Sequence, residues 1–276
     1  MAAPPARVPV GLSTASVYPE GVAAAFDIAA ELGYDGVEVM VWADPVSQNA
    51  RALRALSEHH GIPVLSIHAP TLLLTQRVMS QDPWGKIEGS IELAHAVGAP
   101  TVVLHPPFRW QRGYADEFVA GVAERERADG EIVLAVENMF PWAVRGRSMQ
   151  AYLPHWDPVP QSYEHVTIDL SHTATARSDA MQMVTDLGPR LAHIHLADGY
   201  PTTLKDDHLV PGRGSQPCAQ VLEHVAGSGF AGSVVLEVGT RRHPRRRRHD
   251  LRESLDFARR HLGQVPADAA ADHAAS

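Results

Sequence analysis

A single (β/α)8 barrel is the fold this sequence predicts, and three observations carry the prediction. The first is a set of six short, apolar, β-branched runs: IPVLSIH, TVVLH, IVLAVE, VTID, LAHIH and SVVLE. Such runs form strands buried on both faces of a parallel sheet. The second is spacing. Their last residues are His68, His105, Glu137, Asp169, His195 and Glu237, at intervals of 37, 32, 32, 26 and 42 residues, room for a strand, loop, helix and return. The third is length, since 276 residues suit one such barrel, which typically needs about 250. All six runs stop on an acid or an imidazole. In a closed barrel those side chains gather at the C-terminal rim, where active sites sit.

Taken in order, residues 8–12 (VPVGL) read as the first strand and 19–32 as a helix stopped by Gly33. GYDGVEVMVW gives the second strand, with Glu38, Met40 and Trp42 on one face. Glu38, a charge inside an apolar strand, is either a structural group of the barrel interior or a substrate contact. A helix over 46–60 ends at Gly61, and alternation in strand 62–68 turns Val64, Ser66 and His68 inward. The loop 69–82 is long and apolar, which fits a flap or the contact surface of a homo-oligomer. Pro83 opens a helix that ends at Gly98. Strand 101–105 follows, and the rim loop after it holds Phe108, Arg109, Trp110 and Arg112.

Helix 114–129 and strand 131–137 lead into ENMFPWAVRGRSMQAYLPHWDP, the longest irregular connection, which carries Arg145 and Arg147. Loops of this length in compact domains usually have a function. Strand 165–169, strand 191–196, helix 217–228, strand 232–238 and helix 249–262 complete eight units. The barrel thus takes up 1–264 as one domain, and the small, polar residues 265–276 read as a disordered tail.

Apolar residues make up 45% of the chain, enough for a full core, and the sequence offers no membrane span. The opening MAAPPARVPV lacks a secretory apolar segment, and one cysteine, Cys218, suits a reducing compartment, so a cytoplasmic protein is expected. The net charge of −8 argues against avid nucleic-acid binding. Against that total, residues 241–249 hold six arginines in nine positions just after the eighth strand. They form either a phosphate-contacting patch or a solvated loop.

Two motifs just past strand ends extend the acid and imidazole set. Asp169-Leu170-Ser171-His172 is a D-x-x-H, and Asp206-Asp207-His208 is a D-x-H. The candidate metal ligands are then nine: His68, His105, Glu137, Asp169, His172, His195, Asp206, His208 and Glu237. Nitrogen and carboxylate donors without thiolate suit Zn²⁺ or Mn²⁺. Nine exceed what one ion can take, so the full set implies two or three ions bridged by Glu137 and Glu237. Each residue also has a plain alternative. A strand-end histidine can simply be hydrogen-bonded, Asp169 can cap the next helix, and Asp206 and His208 can be ordinary loop residues. His193 faces the same way as His195 one layer deeper and reads as core.

The phrases LGYDGVEV, AHAVGAPTVVLH, VENM, HLAD and LVPGRG resemble the xylose-isomerase-like barrel superfamily over roughly residues 8–262. Its isomerase and epimerase branch implies one divalent ion held by Glu137, Asp169, His195 and Glu237. Endonuclease IV, in the same superfamily, uses the complete nine-ligand set for three zinc ions, and all nine positions have counterparts here. The surroundings depart from that enzyme: His105-Pro106-Pro107 replaces His-Pro-Gly, Glu137-Asn138-Met139 replaces Glu-Asn-Thr, and no histidine stands in the first-strand loop.

The resemblance therefore implies a metal-dependent isomerase or epimerase of a sugar or sugar phosphate, with one to three ions. Glu137 and Glu237 would exchange a proton with the substrate, and Arg145, Arg147, Arg213 and Trp110 would bind it. The less favoured readings are a multi-zinc phosphoesterase acting on abasic DNA or another phosphoester, and a barrel that binds metal or sugar without turnover.

Overall fold

The computed structural model describes residues 7–71, 78–144, 147–202 and 205–264. The expected tail over 265–276 and the middle of the apolar loop, 72–77, fall outside them. Eight parallel strands close a barrel: β1 (Val10–Ser13), β2 (Gly36–Met40), β3 (Val64–His68), β4 (Thr101–Leu104), β5 (Val133–Glu137), β8 (His165–Asp169), β9 (Leu191–Leu196) and β10 (Ser233–Leu236). β10 pairs with β1 through Val10 opposite Val234, which closes the ring. Outside it run α1 (Val22–Leu32), α2 (Ala50–His60), α3 (Pro83–Val97), α4 (Arg112–Asp129), α5 (Leu170–Ala176), α6 (Ala180–Leu187), α7 (Cys218–Ser228) and α8 (Arg247–His261). The outward strand residues, among them Val37, Val39, Ile67 and Ile194, are buried in one continuous core with Phe26, Leu53, Phe118 and Leu255. Among the described residues no helix is long and apolar enough to cross a membrane.

The local signals read from sequence act as expected at several helix ends. Gly33, Gly61 and Gly98 end their helices in the left-handed region, at φ of 82°, 66° and 75°. Asp82 accepts from the Gly85 amide at 2.8 Å in front of Pro83.

Other boundaries move, each for a local reason. The expected helix 46–60 is split: a 3-10 turn, Pro45–Gln48, precedes Asn49, whose side chain caps α2. Arg112 leaves the rim loop to become the first residue of α4, and α8 starts at Arg247, inside the arginine run. The long connection after β5 is not wholly irregular, because β6 (Trp142–Val144) and β7 (Arg147–Met149) pair antiparallel within it.

Alternation fails once inside the barrel. The register of β2 against β3 slips between Val37 and Glu38, leaving Leu65 as the extra residue of a bulge. Leu65, not Val64, therefore fills the interior below Ser66, with its side chain over Gly11 and Gly36. A Cβ at Gly36 would lie 2.5 Å from Leu65 Cγ, so only glycine leaves room there.

Candidate metal centre

The strand ends bring all nine predicted ligands into one network at the C-terminal mouth. Glu137 is its hub. Its carboxylate lies 3.2 Å from His68 Nε2, 2.8 Å from His105 Nε2, 3.3 Å from His172 Nδ1 and 3.1 Å from His195 Nδ1. Glu237 Oε2 is 3.5 Å from the same His195 Nδ1. Asp206 Oδ2 lies 3.0 Å from His172 Nε2 and 2.6 Å from His208 Nε2. Within the nine, three trios of ligand atoms are each compact enough for one ion: His68, His105 and Glu137; Glu137, Asp169 and His195; and Asp169, His172 and His208.

The ring orientations are fixed from outside the network. His172 Nδ1 contacts the Asn138 carbonyl at 2.8 Å and His208 Nδ1 the Glu237 carbonyl at 2.7 Å. His68 Nδ1 contacts the Ala69 carbonyl at 3.3 Å. A carbonyl only accepts, so each contact places a proton on Nδ1; Nε2 then faces Glu137 in His68 and Asp206 in His172 and His208. His208 is held in place at a positive φ of 43°, a conformation a non-glycine residue adopts at some cost.

Asp169 caps the next helix with one oxygen only. Oδ1 accepts from the His172 amide at 2.8 Å and so caps α5. Oδ2 is buried without a hydrogen bond, as is Glu237 Oε2. Buried carboxylate oxygens of this kind are costly unless something positive satisfies them. With a donor set of imidazole nitrogen and carboxylate oxygen, they fit a divalent cation.

The electrostatics follow the same division. Burial works to raise the Glu137 carboxyl, but His195 and His105 hold it well below the usual carboxylate range. Burial raises Glu237, only partly offset by His195 and His208. Burial opposes charge on His172 and His208, yet the neighbouring carboxylates win, and His208 is pushed up to about 10. His105, where burial prevails, falls to about 4.

Three residues of the site were not among the predicted ligands. Asn138 accepts from the Asp169 amide at 2.6 Å and donates to its carbonyl at 3.1 Å, tying β5 to β8. Ser171 donates to Asp206 and accepts from the His208 amide, holding the D-x-H loop. Glu38 is fully buried below the mouth, against His195, which removes it from the possible substrate contacts.

The predicted substrate contacts fare differently from one another. Trp110 is 47% exposed and stacks flat on Phe108, with Trp142 and Tyr152 behind them. Arg213 is engaged by Asp250 at 2.9 Å and by Glu253, so an anion there would have to displace both. Arg145 lies outside the described residues, and Arg147 belongs to β7. In the arginine run, Arg247 is buried against Thr240 and Glu20, and Arg248 pairs with Glu31. Much of that run anchors α8.

The model of the xylose isomerase-like TIM barrel family matches residues 26–261. An uncharacterized protein of Mycobacterium tuberculosis strain H37Rv is 49% identical, over 92% of this chain and 98% of its own. Fructoselysine 3-epimerase of Shigella flexneri is 22% identical, over 78% of this chain and 84% of its own. Among solved structures, a D-tagatose 3-epimerase-like protein superposes with a TM-score of 0.67 at 21% identity, covering 91% of this chain and 98% of that one.

Proposed function

The chain belongs to the xylose isomerase-like TIM barrel family, and from that premise we propose that it is a divalent-metal-dependent isomerase or epimerase of a sugar or sugar phosphate. One observation carries the reading. Glu137 and Glu237, from separate strands, approach the same nitrogen, His195 Nδ1, at 3.1 and 3.5 Å. Two carboxyls facing one position in this way are suited to removing a proton and returning one. The names of the similar epimerases support the substrate class.

Glu137, Asp169, His195 and Glu237 would hold the ion, Zn²⁺ or Mn²⁺. When bound, it would polarise a carbonyl and so acidify the neighbouring C–H. Glu137, held ionised, takes that proton, and Glu237 delivers one to the opposite side. Trp110 on its aromatic platform covers the sugar face. With Arg213 engaged, an anionic end of the substrate is left to Arg145 and Arg147.

A second reading has its own observation in favour. The trio His68, His105 and Glu137 and the trio Asp169, His172 and His208 give the mouth room for ions beyond the first. Two or three ions would suit hydrolysis of a phosphoester.

Elemental analysis and isotope exchange separate the two. One exchangeable ion per chain, together with deuterium from D2O entering a ketose at the carbon beside its carbonyl, is the outcome expected. Three tightly held zinc ions, no exchange into any ketose or aldose, and release of phosphate from a phosphodiester would replace the first reading by the second.

A further inference from the structure

Of the four imidazoles on the mouth whose rings are anchored from outside it, three are anchored by backbone carbonyls, and His195 alone by a charge. Nε2 of His195 straddles the Glu38 carboxylate, 3.0 Å from Oε1 and 3.3 Å from Oε2. Glu38 is itself fixed from two other strands. Ser66 Oγ donates to Oε2 at 2.7 Å, and His193 Nε2 lies 3.0 Å from the same oxygen. The Ser233 hydroxyl lies 3.0 Å from His193 Nδ1. Glu38, Ser66, His193 and His195 have no solvent exposure at all, and Ser233 has 7%.

We propose that Glu38 is the positioning residue of the metal centre: by holding the Nε2 proton of His195, it presents Nδ1 of that ring to Glu137, Asp169 and Glu237. The inference rests on the mouth binding a divalent ion. A neutral imidazole carries one proton, so a carboxylate at Nε2 leaves the lone pair on Nδ1, the nitrogen facing the other ligands. The carboxylate also adds negative charge behind the ring and strengthens it as a donor.

An apolar residue in place of Glu38 would satisfy strand packing without the cost of a fully buried charge. It would also leave the His195 ring free to present either nitrogen. His193, which reads as core in the sequence, is a fully buried neighbour of the Glu38 carboxylate.

Mn²⁺ affinity and the visible absorption of the Co²⁺-loaded protein test the role without reference to turnover. Glu38→Gln keeps the shape but removes the charge, and its amide can donate toward His195. The expected result is about a 10- to 100-fold loss of Mn²⁺ affinity, with a shifted Co²⁺ band and an unchanged thermal midpoint of the metal-free form. Wild-type affinity and an unshifted band in Glu38→Gln would overturn the proposal while leaving the metal reading in place. Failure of the wild-type protein to take up any ion would instead overturn the metal reading, and this inference with it. Should Glu38→Gln not fold, Ser66→Ala removes one support of the carboxylate. A severalfold loss of affinity is then expected, and no loss would count against Glu38.

Discussion

The two ends of this barrel are built from the same strands and could hardly be more different. At the C-terminal mouth β3, β5 and β8 end in His68, Glu137 and Asp169, β9 carries His195 one residue before its end, and His105 and Glu237 lie one residue beyond β4 and β10. At the opposite end the half-buried Leu65 side chain closes over Gly11 and Gly36. Beside them lies a cavity of about 550 Å³ lined mostly by small and apolar residues such as Val133, Val184, Pro189 and Phe230. Ordinary hydrophobic packing holds one end, while the other gathers charges that oppose folding unless something compensates them. The ring of backbone hydrogen bonds between the ends lets the protein carry both.

The largest expected effect comes from breaking the mouth at its hub. Glu137→Gln removes the carboxylate that touches four imidazoles. Turnover of a substrate found by screening should fall by about 10³-fold or more, and metal content should drop. Far-UV circular dichroism should still show the barrel. Retained turnover would remove Glu137 from the chemistry.

The pH dependence of stability should depend on whether the mouth is loaded. In the metal-free protein, burial would lower the proton affinity of His208, but Asp206 raises it to about 10, against an ordinary value of about 6.5. A group whose folded value is raised stabilises fully below the unfolded value and ceases to do so as pH climbs through the folded one. With chelator present, the thermal midpoint should therefore decline between about pH 6.5 and 10. An ion competes with those protons, so added Mn²⁺ should bind more tightly as pH rises through neutrality and offset the decline. Parallel curves with and without Mn²⁺ would show that the ion does not reach His208.

At the closed end the matching test is steric. A side chain at Gly36 would meet Leu65 Cγ at 2.5 Å and the Pro63 carbonyl oxygen at 2.8 Å. Gly36→Val should destabilise by about 1–3 kcal/mol, read from denaturant unfolding, while ions bound per folded chain stay at the wild-type value. Loss of metal in that variant would mean that the two ends are mechanically coupled.

How much of this could be read beforehand also differs between the ends. The mouth was legible because its chemistry is written in residue types that strands otherwise avoid, so six acid or imidazole terminators in phase identify the rim. Asn138 and Ser171 were not legible as site residues, since their work is hydrogen bonding to backbone and to ligands, and such residues are common in loops. Glu38 is visible as an anomaly, but only the pairing of β2 with β3 and the closure of the barrel, which sets β2 across the interior from β9, show that Ser66 and His195 are its partners. The closed end was misread at Leu65, because a bulge shifts the alternation on which an inward assignment depends. The hairpin β6–β7 carries no strand signal in the sequence, because its strands have three residues each and little apolar alternation.

The smallest expected effect lies between the two behaviours, on the aromatic rim. Trp110 and Phe108 stack with centroids 4.7 Å apart and planes 5° from parallel. Phe108 is buried against Tyr152 and Met139, whereas Trp110 leaves 47% of its surface to solvent. A flat exposed indole gains little for folding by its outer face, so Trp110→Ala should move the thermal midpoint by no more than a few degrees. Its outer face is the surface a sugar ring would cover, and the same change should raise KM severalfold with kcat nearly kept, the mark of lost binding rather than lost chemistry. Phe108→Ala would do the reverse, costing about 3 kcal/mol or more in stability. A Trp110→Ala variant that unfolded early yet bound substrate normally would assign the indole to packing and leave the sugar without a platform.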